Sequence, residues 1–184
     1  MRSTSLRTLV AAVSAVALAV AVPALAGAAA NPPGDIPDNQ AFVTYRSTAY
    51  SVQVPEGWQR TVTGTAVRFS DKYNSIDAAV SSAAKAPTLD SIARSELPRL
   101  ARSVKGFSGA KVTVVRRKAG NALLISYRAT SAPNPVTGKS VTDDVQRYEF
   151  WRAGKLVTLT LAAPRGSDNV DPWKLVTDSF TWTR

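Results

Sequence analysis

The side chains that could do chemistry fall into three groupings. Paired carboxylates occur at Asp143-Asp144 with Glu149, and at Asp168 with Asp171. Two acids about 5–9.5 Å apart can cleave a glycosidic bond, one giving a proton while the other attacks or activates water. Asp143 and Asp144 point to opposite faces of any strand that holds them, and Asp168 and Asp171 sit where turn and cap residues are expected. Asp168-Asn169-Val170-Asp171 also falls short of a Ca²⁺ loop, which needs about six to eight oxygens.

The second grouping is cationic: Arg94, Arg102 and Lys105 with Arg116-Arg117-Lys118. Together they would form a basic contact patch for anionic wall polymer or lipid headgroups, held by an attraction that salt screens beyond about 8 Å. Apart, they are the solvated faces of a helix and a hairpin end. The third grouping is Arg147, Glu149, Thr158 and Thr160, on the polar side of one hairpin. Beneath a helix that side is costly to bury unless it lines a pocket holding water or ligand. Facing solvent, it is an ordinary wet face.

Other chemistries are closed off. The chain has no histidine and no cysteine, which removes Ser-His-Asp and Cys-His nucleophiles, His or thiolate metal sites, and disulfides. A Ser-Lys pair stays formally open, with Lys72, Lys85, Lys105 and Lys139 available. Neither a Walker lysine loop nor a G-x-G-x-x-G run occurs. No catalytic residue, metal site or cofactor is assigned. Trp58, Trp151, Trp173 and Trp182 read as core and helix–sheet packing rather than a sugar-stacking platform.

The element that must position most of these groups is Val145–Ala163, a hairpin turning at Ala153-Gly154. That turn sets Phe150 opposite Val157 and Tyr148 opposite Leu159 on one face, and leaves Arg147, Glu149, Thr158 and Thr160 on the other, with Trp151 and Leu156 paired at the turn end. Before it, Phe42–Tyr45 and Ala49–Val54 read as strands. Thr61–Val62 and Ala66–Ser70 form a hairpin around Thr63-Gly64-Thr65, and Ser75–Ala84 is a strand, with a helix left open by its small residues. Lys111–Lys118 and Asn121–Thr130 pair around Ala119-Gly120. Both faces of that pair are partly apolar, as in a sheet covered on two sides.

One long helix is expected over Thr88–Val104, capped by Thr88 or Asp90, with Leu89, Ile92, Ala93, Leu97, Leu100 and Val104 inward. Pro98 should kink or split it after Glu96, and Gly106 should stop it. Asp171-Pro172 reads as N-cap and first residue of a last short helix, with Trp173, Val176 and Phe180 inward.

At 184 residues the chain suits one ordinary domain. Residues 1–30 read as a secretory signal peptide: Arg2 and Arg7 lead into the apolar run Leu9–Val22, closed by Pro23 and a small-x-small cleavage site after Ala26 or Ala30. The run is too short to span a bilayer comfortably, so no membrane span is expected after cleavage. Residues 31–41 are rich in Pro, Asp and Asn and read as a flexible linker with nothing to bury; residues 42–184 form the domain. The expected product is a monomer, secreted, periplasmic or wall-associated. With no cysteine to carry a lipid, it is not a lipoprotein. Removing two arginines from the 23 basic residues leaves a net charge of about +8 against 13 acids. Such a charge suits anionic wall polymer, acidic lipid headgroups or an acidic partner, or simply solubility; no basic run exceeds Arg116-Arg117-Lys118, which favours solubility, and no nucleic-acid partner is expected.

Two segments carry a family resemblance. Tyr50-Ser51-Val52-Gln53-Val54-Pro55-Glu56-Gly57-Trp58 resembles the opening strand of PsbP-like domains, and Asp171-Pro172-Trp173-Lys174-Leu175-Val176-Thr177-Asp178-Ser179-Phe180 resembles their closing helix. The order of hairpins, long helix and further hairpins is similar as well. The resemblance implies an α+β fold, a single-domain α-β-α sandwich around a mainly antiparallel sheet. It also implies a role in binding or assembly, as in the photosystem II extrinsic protein, a nuclear-import factor that binds a small GTPase, and small exported proteins of high-GC bacteria. It transfers no catalytic residue. The expected function is therefore an exported, non-enzymatic binding or assembly protein of the cell envelope. The alternative is a small-ligand or wall-polymer binder.

Overall fold

A computed structural model describes residues 34–134 and 136–183. The signal-peptide reading falls outside the described residues. Among the described residues the fold is α+β, built from strands β1 (Phe42–Arg46), β2 (Tyr50–Pro55), β3 (Gln59–Thr63), β4 (Ala66–Asp71), β5 (Asn74–Ser82), β6 (Ser108–Arg117), β7 (Gly120–Thr130), β8 (Thr142–Arg152), β9 (Lys155–Pro164) and β10 (Thr181–Trp182). Seven strands form one antiparallel sheet in the order β3-β4-β5-β9-β8-β7-β6, and β1-β2-β10 form a second, smaller one.

The β8–β9 hairpin sits in the middle of the large sheet with the register expected from its turn: Phe150 pairs with Val157, Tyr148 with Leu159 and Trp151 with Leu156. Ala153 and Gly154 both have positive φ (47° and 82°), the signature of a type I′ turn. Because strand side chains alternate, each face of the sheet carries its own apolar cluster. Tyr148, Phe150, Val157, Leu159, Leu161, Ile76 and Phe69 pack with Tyr50, Val52 and Val54 of β2 and with Trp173, Val176 and Phe180. On the other face Leu123, Ile125, Tyr127 and Val145 pack with Ile92 and Leu100. Residues 74–82 form a strand because Ile76 and Ala78 face the first cluster, which settles the open helix alternative.

The long helical segment changes character after Glu96, the point where Pro98 is expected to kink or split it. It runs as α1 (Leu89–Ser91), a π-helical turn (Ile92–Glu96) and α2 (Leu97–Ser103). The Leu97 N–H donates to the Ile92 carbonyl, five residues back. This wider turn places Pro98 in the first turn of α2, where a missing N–H costs little. Thr88 caps the segment with a reciprocal bond to Ser91. Leu89 and Ala93, expected inward, are both exposed, Leu89 to 49%, while Ile92 and Leu100 are buried against the sheet. Gly106 follows with φ 71°, and a side chain there would run into Thr130.

The last helix, α3 (Val170–Ser179), starts two residues before the expected Asp171-Pro172 cap. Asn169 is the N-cap residue, but its side chain serves another purpose: Oδ1 accepts from the Ile36 N–H at 2.8 Å and Nδ2 donates to the Gly34 carbonyl at 2.9 Å. The linker is thereby corrected, since Ile36 is only 4% exposed and packs into the first cluster. A single isoleucine among polar and proline residues gave no periodic pattern from which burial could be read.

Candidate functional site

Arg147, Glu149, Thr158 and Thr160 are brought together as expected. Arg147 pairs with Thr160 and Glu149 with Thr158 across β8–β9, and the helical segment lies over them. The expected pocket beneath the helix is instead filled from above. Glu96 Oε1, in the π-helical turn, lies 2.9 Å from Arg147 Nη2 and 2.5 Å from Arg99 Nη2, while Arg147 Nε lies 3.5 Å from Glu149 Oε1. The Arg99 hydrogen bond, with Arg147 beside it, lowers the Glu96 pKa. Burial raises that of Glu149, which is 4% exposed, against the opposing pull of Arg147. An alternating Arg–Glu–Arg–Glu array neutralises itself, so its charges are engaged in holding helix to sheet. Glu149 still borders a small pocket of about 210 Å³ with Trp151, Asn121 and Val114.

The basic patch does not assemble as one surface. Arg102 and Lys105 lie at the helix end before β6, whereas Arg116, Arg117 and Lys118 lie at its far end, about 30 Å away along ten residues of strand. Arg94 pairs with Asp90 on the exposed side of the π-helical turn. Arg117 turns inward instead: Nε donates to Thr177 Oγ1 and Nη2 to Tyr148 Oη, each at 2.9 Å, with Asp178 at 3.8 Å.

The acid pairs do not converge. Asp143 is buried and Asp144 is exposed, on opposite faces of β8. Asp143 and Glu149 share a face but stand about 20 Å apart along the strand, beyond the range for hydrolysis. Burial pushes the Asp143 carboxyl up to about 6, with Arg68 opposing and Asp144 adding to the rise. The Asp168 N–H donates to Asp35 Oδ1, and Asp171 lies in the first turn of α3. The spacing S-x-x-K, known from Ser-Lys hydrolases, occurs at Ser82-Ala83-Ala84-Lys85 and Ser108-Gly109-Ala110-Lys111. Both stretches are exposed strand or loop, not one face of a helix, and no hydrogen bond joins either pair among the described residues.

The site that sequence reasoning missed is a cleft of about 530 Å³ between α3 and the β7–β8 floor. Leu124, Ser126 and Arg128 of β7 and Asp144, Gln146 and Tyr148 of β8 form the floor, because these alternate residues face away from the long helical segment. Trp173 and Lys174 supply the wall. Tyr148 Oη accepts from Arg117 and donates to Gln146 Oε1 at 2.7 Å, so a fixed chain of donors runs from the sheet edge into the cleft. Arg117 also lies 5.1 Å from the Tyr148 ring centroid. Alternation along Leu124, Ser126 and Arg128 was legible in the sequence; that α3 would leave their outer half uncovered was not.

The architecture is that of the PsbP-like fold. The solution structure of cyanobacterial PsbP (CyanoP) from Synechocystis sp. PCC 6803 is similar with a TM-score of 0.55 and 15% identity, over 78% of this chain and 94% of that one. A crystal structure from Bacteroides thetaiotaomicron VPI-5482 is similar with a TM-score of 0.48 and 12% identity, over 73% and 45% of the two chains. The Pseudomonas aeruginosa protein PA94, described as of unknown function, gives 0.45 and 18%, over 72% and 91%. No family model and no curated protein matches the sequence. No helix among the described residues is long and apolar enough to cross a membrane.

Proposed function

We propose that the chain is an exported, non-enzymatic binding protein of the cell envelope, and that the α3–β7–β8 cleft is its contact site. The observation that carries this reading is the set of unspent side-chain hydrogen-bonding groups in the cleft: the Arg128 guanidinium has no hydrogen bond or ion pair among the described residues, and the Gln146 side chain uses only its carbonyl. The charges of the Glu96–Arg147–Glu149 array, by contrast, are spent on one another. The apolar run Leu9–Val22 behind Arg2 and Arg7 supports export. The two apolar clusters on opposite faces of the large sheet support the α-β-α sandwich.

A cleft of this volume falls in the range of small-molecule sites, which favours a small ligand. The second reading is an assembly contact with an envelope protein, favoured by Val170 and Leu175 exposed on α3. Chemical crosslinking in intact cells, with native mass spectrometry of the purified protein, tests the proposal. The expected result is a defined crosslinked envelope component or a co-purified small molecule, with no turnover of ester, peptide or glycan substrates. Turnover that disappears in Glu149→Gln would replace binding with catalysis.

A further inference from the structure

Resting on the reading of the cleft as a binding site, we propose that its ligand is a small amphipathic monoanion: one carboxylate head on an apolar body. The head is placed by the β7–β8 register. Ser126 lies directly opposite Gln146, and Arg128 lies opposite Asp144, two residues further along the same face. Ser126 and Arg128 are thus about 7 Å apart along the strand, and Ser126 and Gln146 about 5 Å apart across it, within reach of one carboxylate.

The donors are set in advance. Arg117 donates to Tyr148, and Tyr148 donates to the Gln146 carbonyl, which turns both Gln146 amide hydrogens away from that bond. The unpaired Arg128 guanidinium offers a planar fork matched to two carboxylate oxygens. Charge sets the valence. Arg117 and Lys174 share Asp178, and Arg128 stands beside Asp144. Three cations against two acids leave room for one negative charge, and Asp144 repels a polyanion such as wall polymer.

The body is placed by the wall. Leu124, Trp173 and Val170 line the same cleft, and Val170 is 72% exposed in the first turn of α3. An apolar chain or ring laid along them would bury that surface while its head reaches Arg128.

Titrating the isotope-labelled purified protein by NMR tests this. Octanoate and indole-3-acetate are the probes, for an aliphatic and an aromatic body, with 1-octanol and inorganic phosphate as controls. Saturable shifts are expected at Leu124–Arg128, Asp144–Tyr148 and Trp173 with at least one of the two carboxylates. Arg128→Ala should weaken that binding about tenfold, the usual size of a charge-assisted hydrogen bond. Arg102→Ala should leave it unchanged, and each control should bind at least tenfold more weakly. Silence with both carboxylates, equal binding of phosphate alone, or indifference to Arg128→Ala would overturn the proposal. In the first case a crosslinked or co-purified component would leave the wider binding reading standing, so the two failures are distinguishable.

Discussion

Arg147 Nη2 lies 2.9 Å from Glu96 Oε1, and this contact ties the centre of the large sheet to the π-helical turn that covers it. Both side chains are more than four-fifths buried, and Arg99 and Glu149 complete the array. Removing one partner leaves the others charged and under-solvated, whereas replacing Glu96, Arg147 and the buried Glu149 together leaves a repackable apolar gap. Glu96→Ala should therefore lower stability by about 2–3 kcal/mol, and Glu96→Met, Arg147→Met and Glu149→Met combined should recover most of it. Urea midpoints of the single and triple variants measure this. Because the Glu96 carboxyl is held below its ordinary value of 4.5, its contribution is present above that pH and fades as acid protonates it.

Asp143 gives the opposite sign. Its carboxyl is 6% exposed, Oδ1 has no hydrogen-bond partner, and burial raises its pKa from 3.8 to about 6. Below pH 3.8 the group is protonated in both folded and unfolded chains and carries no penalty. As pH rises through about 6 the folded protein must hold a buried charge, so stability from this group is lost over that window. Asp143→Asn should unfold at higher urea than the parent at pH 7.5, by about 1–3 kcal/mol, and the advantage should vanish near pH 4.

Ala153 holds a φ of 47° in the hairpin turn, a region that costs residues with a Cβ about 1 kcal/mol. Ala153→Gly should raise stability by about 0.5–1 kcal/mol, seen as a higher melting temperature with an unchanged fold.

Asn169 gives its side chain to the arm at Gly34 and Ile36 rather than to its own helix. Asn169→Ala should release residues 34–41 while sparing the sheet. Limited proteolysis is expected to cut this arm several-fold faster in the variant, with little change in the remaining fragment.

Much of the sheet was legible in the sequence because alternation and turn residues are local signals. Ala153-Gly154 with Tyr148, Phe150, Val157 and Leu159 fixes a register without reference to anything distant. The polar grouping Arg147, Glu149, Thr158 and Thr160 follows from the same alternation. What covers it does not, since Glu96 lies about 50 residues earlier and reaches Arg147 only through tertiary packing. Pro98 marked where the helix changes, after Glu96, but not how: the wider turn that accommodates it depends on the Leu97 N–H reaching the Ile92 carbonyl, which no propensity scale expresses. The cleft was hidden for a third reason. Its floor alternates as any strand does, and only the placement of α3 leaves Arg128 and Gln146 uncovered.

The central claim is that this cleft is the surface through which the protein binds. A photoreactive side chain placed at Val170, on the cleft rim, or at Val62, exposed on β3, tests it most directly. After irradiation of intact cells and intact-mass measurement, a discrete added mass is predicted at Val170 and none at Val62. Equal labelling of both positions, or labelling at Val62 alone, would contradict the account.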